Sequence, residues 1–263
     1  MSYQDIIVER EKGVATITLN RPERLNAFSP EMRVSLFRAI EEVSDDSEVR
    51  AVIITGAGRG FCTGYDWSLG ASQNPADLGL GESHRLDPLG WLGLRIHQLD
   101  KPTIAAVNGV AAGGGFGLML VCDFRIASEN SRMGPVFIRR GLSLDWGISY
   151  FLPRLIGLSR ALELAMTGEM IDAQEAERIG LVNRVVPADE LLAAAKELAA
   201  KLAKGPPIGL HLTKRSIYRA QTMNLMQALD YESYAQSICF QTEDVQEGIR
   251  AFLEKREPEF KGR

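Results

Sequence analysis

Pro102-Thr103-Ile104-Ala105-Ala106-Val107-Asn108-Gly109-Val110-Ala111-Ala112-Gly113-Gly114-Gly115-Phe116-Gly117-Leu118-Met119-Leu120 is the stretch on which the reading of the fold turns. Thr103 to Val107 is a short apolar run that Asn108-Gly109 closes with a turn signal, so it reads as a buried strand. Three glycines follow, and then Phe116 to Val121, an uncharged run that reads as a buried helix. The first N–H groups of such a helix have no acceptor within it and sit at the positive end of its dipole. Glycine lets another molecule approach that backbone closely. The site suits an anion, either a phosphate or an oxyanion that forms only during a reaction. Tight packing of helix on strand uses the same glycines, and the triplet alone does not decide between the two. Two nucleotide readings do fall away. A dinucleotide fingerprint counted from Gly113 needs glycine where Leu118 stands, and no Gly-Lys-Ser/Thr follows to make a phosphate-cradling loop.

Outward from this stretch the chain alternates strands and helices. Ile6 to Val8 and Val14 to Leu19 read as a hairpin around Lys12-Gly13. Ser29-Pro30-Glu31 signals a helix start, with Ser29 as cap, and Met32, Leu36, Ile40 and Val43 fall on one face. Val52 to Ile54 is a buried strand, and Ala51-Val52-Ile53-Ile54-Thr55-Gly56 faintly echoes Ala105-Ala106-Val107-Asn108-Gly109. The segment from Ser68 to Pro88 reads as a long loop and Leu89 to Leu99 as a helix. Beyond the triplet come a strand at Phe124–Ala127, a helix at Trp146–Leu155, a capped helix start at Asp172-Ala173-Gln174-Glu175 and a strand at Val182–Val186. From Asp189 onward only helices are expected, at Glu190–Leu202, Ile208–Ala220, Leu225–Phe240 and Asp244–Lys255. The pattern is that of an α/β protein with mostly parallel pairing. It divides into a core over residues 1–188, carrying the site, and a helical region over 189–263.

At 263 residues the chain can bury a large core, and 45% hydrophobic with 24% charged content is ordinary for a globular protein. Thirty-four acidic against 30 basic side chains give a net charge of −4, which argues against a general nucleic-acid or anionic-membrane binder. Cys62, Cys122 and Cys239 are far apart and are expected as buried free thiols in a reducing compartment. The first residues lack a basic-then-apolar leader, and no uncharged run reaches membrane-spanning length, so a cytoplasmic protein is expected. No metal-ligand cluster stands out, and His84, His97 and His211 read as ordinary surface or core histidines.

The loop Arg59-Gly60-Phe61-Cys62-Thr63-Gly64-Tyr65-Asp66 follows a strand, as the triplet does. Two such loops at matching ends of adjacent strands could each offer one backbone N–H to a single carbonyl oxygen gaining negative charge. These two loops, together with Leu25-Asn26-Ala27, Lys101-Pro102-Thr103, Cys122-Asp123 and the ending Phe252-Leu253-Glu254-Lys255-Arg256 with Phe260-Lys261, resemble the crotonase family, the enoyl-CoA hydratase/isomerase superfamily. The likeness runs over essentially the whole chain. It implies a spiral of ββα units with a C-terminal all-helical trimerisation region, a homotrimer or dimer of trimers, and an acyl-CoA thioester substrate. No cofactor is implied beyond the coenzyme A that the substrate carries. The same resemblance places the oxyanion donors on the backbones of Tyr65 and Gly114 and sets Gly64, Asp66 and Trp67 beside the substrate. Arg24, Leu25 and Ala27 would border the CoA, with Lys255 or Lys261 reaching a neighbour's CoA.

The departures from the pattern are informative. Hydratases of the family carry a glutamate two residues after the triplet, which here is Gly117, and a second one about twenty residues on, which falls on Phe137. Water addition needs activation of water at one carbon and proton delivery to the next, a task for both carboxylates. The acid that remains is Asp145. An aspartate before a helix is commonly a cap. Here Leu144 and Trp146 flank it, and apolar neighbours favour a base. It also resembles the catalytic aspartate of phenylacetate-pathway and dienoyl-CoA isomerases. Dehalogenases of the superfamily place a nucleophilic aspartate at the same point, but their partner histidine and tryptophan fall on Gly90 and Phe137. The expected activity is an enoyl-CoA isomerase with Asp145 as its single base, with Trp67, Trp91, Phe137 and Trp146 as walls for the acyl group. The alternatives are a hydratase of altered chemistry and a non-catalytic acyl-CoA or partner-binding protein of the same fold.

Overall fold

Ile6–Glu11 (β1) and Val14–Leu19 (β2) form the expected hairpin, antiparallel from Ile6↔Leu19 to Glu11↔Val14. The computed structural model describes residues 3–69 and 88–263, so most of the expected loop from Ser68 to Pro88, and His84 with it, lies outside the described residues. Helix α1, Pro30–Asp45, starts as read: the Ser29 hydroxyl accepts the Met32 N–H at 2.9 Å, and Met32, Leu36, Ile40 and Val43 are all buried. Ala51–Gly56 (β3), Thr103–Val107 (β5), Phe124–Ser128 (β7) and Arg184–Val186 (β10) complete a six-stranded sheet in the order β1-β2-β3-β5-β7-β10. All pairs beyond the hairpin are parallel. The two segments that echo each other lie side by side, with Thr55 opposite Ala106.

A second sheet was not legible in the residue pattern, and only the resemblance, through its ββα units, implied paired strands. Gly60–Cys62 (β4), Val110–Ala112 (β6), Arg132–Gly134 (β8) and Ile171–Asp172 (β9) make four strands in that order. At two or three residues each they are too short to display a period of two. With them the repeat becomes plain. β3 and β4 precede helix α2 (Pro88–His97), β5 and β6 precede α3 (Gly114–Leu120), and β7 and β8 precede α4 (Ile148–Ile156), which is a chain of ββα units. Helix α5, Leu158–Thr167, was also not anticipated; it follows α4 after Gly157 alone. Asp172 caps α6, Ala173–Arg178, by accepting the Glu175 N–H at 2.8 Å.

Alternation in the large sheet separates two cores. Ile17, Val52, Ile54, Ala105 and Val107 face α1 and α3. Val14, Ala51, Ile53, Ile104 and Ile126 face the other way, onto Leu191, Ala195, Ala199 and Ala203. Those four residues recur every fourth position on α7, Leu191–Ala203, so the first helix of the strand-free region is a cover for the sheet. The remaining helices, α8 (Pro207–Ala220), α9 (Leu225–Cys239) and α10 (Glu243–Glu254), fall within a residue or so of their expected bounds. Asp123 ties α8 to the sheet. Its carboxylate accepts from the Thr103 N–H at 2.8 Å, the Thr103 hydroxyl at 2.9 Å and the Tyr218 hydroxyl at 2.9 Å, and pairs with Lys214 at 2.8 Å.

Cys62 and Cys122 are buried free thiols, each pushed up to about 12 by burial, and therefore inert. Cys239 departs from expectation in being only partly buried, on the C-terminal helices. Among the described residues no helix is long and apolar enough to cross a membrane, and no group of three metal-ligating side chains occurs.

Candidate active site

The two glycine loops meet because β4 and β6 are parallel neighbours, with Gly60 opposite Val110 and Cys62 opposite Ala111. Each loop leaves its strand at the same edge. Gly64 turns there with φ +82°, and a Cβ on it would lie 2.8 Å from the Gly114 nitrogen and 3.0 Å from the Ala112 oxygen. Only a bare residue fits the contact between the loops. Gly114 opens α3, whose first helical bond runs from the Gly117 N–H to the Gly113 oxygen at 3.0 Å, so the Gly114 N–H belongs to the first turn. Gly115 is needed for packing: a Cβ on it would sit 2.0 Å from the Cys62 oxygen. Close packing thus accounts for Gly115, while Gly114 places its N–H in the first turn of α3.

The backbone around Tyr65 is held from both sides. The Phe28 N–H donates to the Gly64 oxygen at 2.7 Å and the Asp66 N–H to the Phe28 oxygen at 3.3 Å, a short parallel bridge. Asp66 is buried and engaged by the Ser68 hydroxyl at 2.6 Å and by Arg21 at 3.0 Å. Burial works against its charge, but the Ser68 and Arg21 hydrogen bonds outweigh it and hold the carboxyl below its usual range. Asp66 accordingly braces the loop. Asn26, buried at φ +55°, donates to the Ala57 and Gly60 oxygens at 2.9 and 2.7 Å and accepts the Arg21 N–H at 2.9 Å. The motif Leu25-Asn26-Ala27 was visible in the sequence, but the bracing work of Arg21 and Asn26 was not, because their partners lie some 30 to 45 residues on.

Asp145 does not cap the helix that follows it. The helix starts at Ile148 rather than Trp146, because Trp146 and Gly147 take φ +55° and +75°, and Gly147 holds the cap position without a side chain. The Asp145 backbone oxygen accepts the Ile148 N–H at 3.0 Å, and its carboxylate oxygen Oδ1 is closed off from solvent. The left-handed turn drives Trp146 inward to 2% exposure, where its ring stacks on Phe28 at 5.2 Å and 11°. Trp146 fills the room beside Gly117: a Cβ there would lie 2.3 Å from the Trp146 Cβ and 2.8 Å from its Cγ. At the other end of the ring, Nε1 lies 2.9 Å from where a Gly114 Cβ would be.

The other expected site residues divide. Phe137 is buried in the short 3-10 turn Val136–Arg140, and its ring tip lies 3.9 Å from a Gly113 Cβ. Trp67 is 40% exposed, edge-on to Tyr65 at 5.0 Å, with Arg140 over its ring at 6.0 Å. Trp91 stands on α2. Arg24 is exposed at the end of a turn, Leu25 packs on Gly60, and Ala27 is buried with its oxygen accepting from Arg21 at 2.8 Å. Lys255 ends α10 and is exposed, and Lys261 lines a separate cleft of about 310 Å³ with Lys101 and His211.

Two glycine loops that meet at one strand edge, with Asp145 next in sequence to the Trp146 that packs on Gly114, suit an acyl-transferring or enolate-forming class of site. The comparisons agree with that class. The chain matches the family Enoyl-CoA hydratase/isomerase over residues 9–263. It is 40% identical over 261 residues to a 1,2-epoxyphenylacetyl-CoA isomerase of Escherichia coli, covering 98% of both chains. It is 41% identical over 266 residues to a short-chain-enoyl-CoA hydratase of Clostridium acetobutylicum, covering 100% of both. An enoyl-CoA hydratase crystal structure from Bacillus anthracis superposes with a TM-score of 0.93 at 37% identity, covering 99% of this chain and 100% of that one. The chain belongs to the enoyl-CoA hydratase/isomerase family, the crotonase superfamily, and is an acyl-CoA enzyme of that fold.

Proposed function

We propose that the enzyme is an enoyl-CoA isomerase that shifts a double bond through a thioester enolate. The thioester oxygen lies between the backbone N–H groups of Tyr65 and Gly114, which hold it as it gains charge. Asp145 takes the proton from the carbon beside the thioester. The electrons move into the oxyanion, and their return brings the double bond next to the thioester while Asp145 gives its proton to the carbon two positions on. One carboxylate serves both transfers because the base becomes the acid. The observation that carries this reading is the filling of the space beside Gly117 by Trp146, at the position where hydratases of the family place their first glutamate. The hydratase names among the relatives favour a second reading, hydration by an altered site. The reading is tested by following a 3-enoyl-CoA and a 2-enoyl-CoA in parallel. Migration of the double bond in the first without hydration of the second is expected; hydration without migration would reverse the assignment.

A related prediction concerns Gly117 itself. Gly117→Glu is expected to lose at least about 1–3 kcal/mol of stability by overpacking. It should gain no hydratase activity, since Trp146 must move before any side chain fits. Thermal unfolding and hydration of crotonyl-CoA check both points. A stable Gly117→Glu variant that hydrates crotonyl-CoA would show that Trp146 is no barrier.

We further propose that the enzyme assembles as a homotrimer or a dimer of trimers. Its C-terminal helices expose Ile217, Leu225, Met226, Phe240, Phe252 and Leu253, the last two at 82% and 73%. Apolar surface on that scale marks an interface. Sedimentation equilibrium is expected to return three or six chains per particle, and a monomer across working concentrations would rule the assembly out.

A further inference from the structure

On the far side of Trp146 lies a recess that the proton transfer does not use. It has a volume of about 580 Å³ and runs between α2, the start of α4 and α8. Trp146, Tyr150, Phe151 and Tyr218 give it aromatic walls, and Lys214, Arg215 and Arg219 supply its charge. Among the described residues that line it there is no aspartate or glutamate. The opposing acids stand behind those cations and satisfy them unequally. Lys214 is fully engaged by Asp123 at 2.8 Å, both being about one-tenth exposed. Arg215 reaches the exposed Asp100 only at 3.7 Å, and that same carboxylate oxygen lies 2.9 Å from His211 Nδ1. Arg219 rests over the Tyr231 ring at 4.8 Å, a cation–π contact that uses none of its N–H donors on a carboxylate.

His97 adds a second sign of a missing occupant. Its ring stands edge-on to Phe151 at 5.0 Å and to Tyr218 at 4.3 Å, and its Nδ1 is closed off from solvent without a hydrogen-bond partner among the described residues. Burial, with Lys214 beside it, holds this imidazole below its usual pKa despite Asp123, so it is neutral and the recess owes its charge to α8.

Trp146 is the wall that the recess shares with the candidate active site. Its Nε1 edge faces Gly114, and its Cε3 edge lies 3.4 Å from where a Cβ on Gly93 would be, in a glycine that lines the recess. The recess therefore begins one indole and its two contacts away from the Gly114 backbone, on the order of 10 Å. A six-carbon acyl group spans a comparable length. Gly90 on α2 also borders the recess, and a Cβ there would meet nothing within 4 Å.

We propose that this recess receives the far end of the acyl group and selects acyl groups that end in a carboxylate, which Arg215 and Arg219 hold. The proposal rests on the thioester being bound at Gly114, but not on which reaction follows. A ring or short chain would lie on the aromatic walls, with the terminal carboxylate at the α8 guanidiniums.

Titration calorimetry with adipoyl-CoA and hexanoyl-CoA tests it, because the two differ only at the chain end and neither carries a double bond to move. Adipoyl-CoA is expected to bind about 10-fold more tightly at low salt, the scale of a charge-paired contact. In an Arg215→Gln, Arg219→Gln double variant that preference should vanish while hexanoyl-CoA affinity stays within about two-fold, since removing surface charge leaves apolar contacts intact. Unfolding curves confirm that the variant folds. Equal affinities in the parent enzyme would overturn the proposal, as would a double variant that keeps the preference. Loss of both ligands together would assign the arginines to the CoA instead. Failure of the isomerase reading shows separately, as no turnover of a 3-enoyl-CoA by an enzyme that still prefers adipoyl-CoA.

Discussion

Asp145→Asn is expected to leave the fold and the acyl-CoA affinity in place and to slow double-bond migration by about 10²–10⁴-fold, the usual worth of a positioned general base. The substitution keeps the shape of the side chain and an acceptor oxygen while removing the basic carboxylate. A capping role predicts almost no change, because asparagine caps as well as aspartate. The geometry already takes the cap from Asp145: helix α4 starts at Ile148, and the cap position belongs to Gly147. What the carboxylate has instead is an oxygen closed off from solvent, next to a buried tryptophan whose Nε1 edge faces Gly114. Deuterium exchange at the carbon beside the thioester reads the first proton transfer alone and should fall with the overall rate. A variant within a few-fold of the parent would end the assignment.

The largest effect on stability is expected at Asp123. Asp123→Ala removes the one carboxylate that joins Thr103, Lys214 and Tyr218, and leaves the Lys214 ammonium, 11% exposed, without its counter-charge. Breaking a buried pair from one side costs about 3–5 kcal/mol. For a chain of this size that corresponds to a fall in Tm of roughly 10 °C or more, compared at one protein concentration. The loss should be smaller in Asp123→Ala/Lys214→Met, where no charge is stranded. A single variant as stable as the parent would mean that α8 is held on the sheet by its apolar contacts alone.

Reading the sequence succeeded where one helix turn or one strand carried its own signal. Ser29 before Pro30 and Asp172 before Ala173 cap their helices as local chemistry dictates, and Thr103–Val107 is bounded by its own turn residues. The second sheet failed to show because Gly60–Cys62 and Val110–Ala112 are held by each other, not by any pattern of their own. The site divides along the same line. The glycine triplet, the Tyr65 loop and Asp145 are adjacent to strong local signals. The occupation of the space beside Gly117 by Trp146 is a contact across nearly thirty residues, produced by a left-handed turn that only the fold imposes on a tryptophan. Asp66 likewise reads as a site residue by position, while Arg21, forty-five residues earlier, makes it a brace.

We propose that this enzyme moves a proton within an enoyl thioester and does not add water to it. It is tested most directly by incubating the unaltered enzyme with 3-hexenoyl-CoA in deuterated water and following both products by mass spectrometry and NMR. Accumulation of 2-hexenoyl-CoA is expected, with no 3-hydroxyhexanoyl-CoA formed at a comparable rate. Conversion of 2-hexenoyl-CoA to the 3-hydroxy product as fast as or faster than the double bond migrates would contradict it.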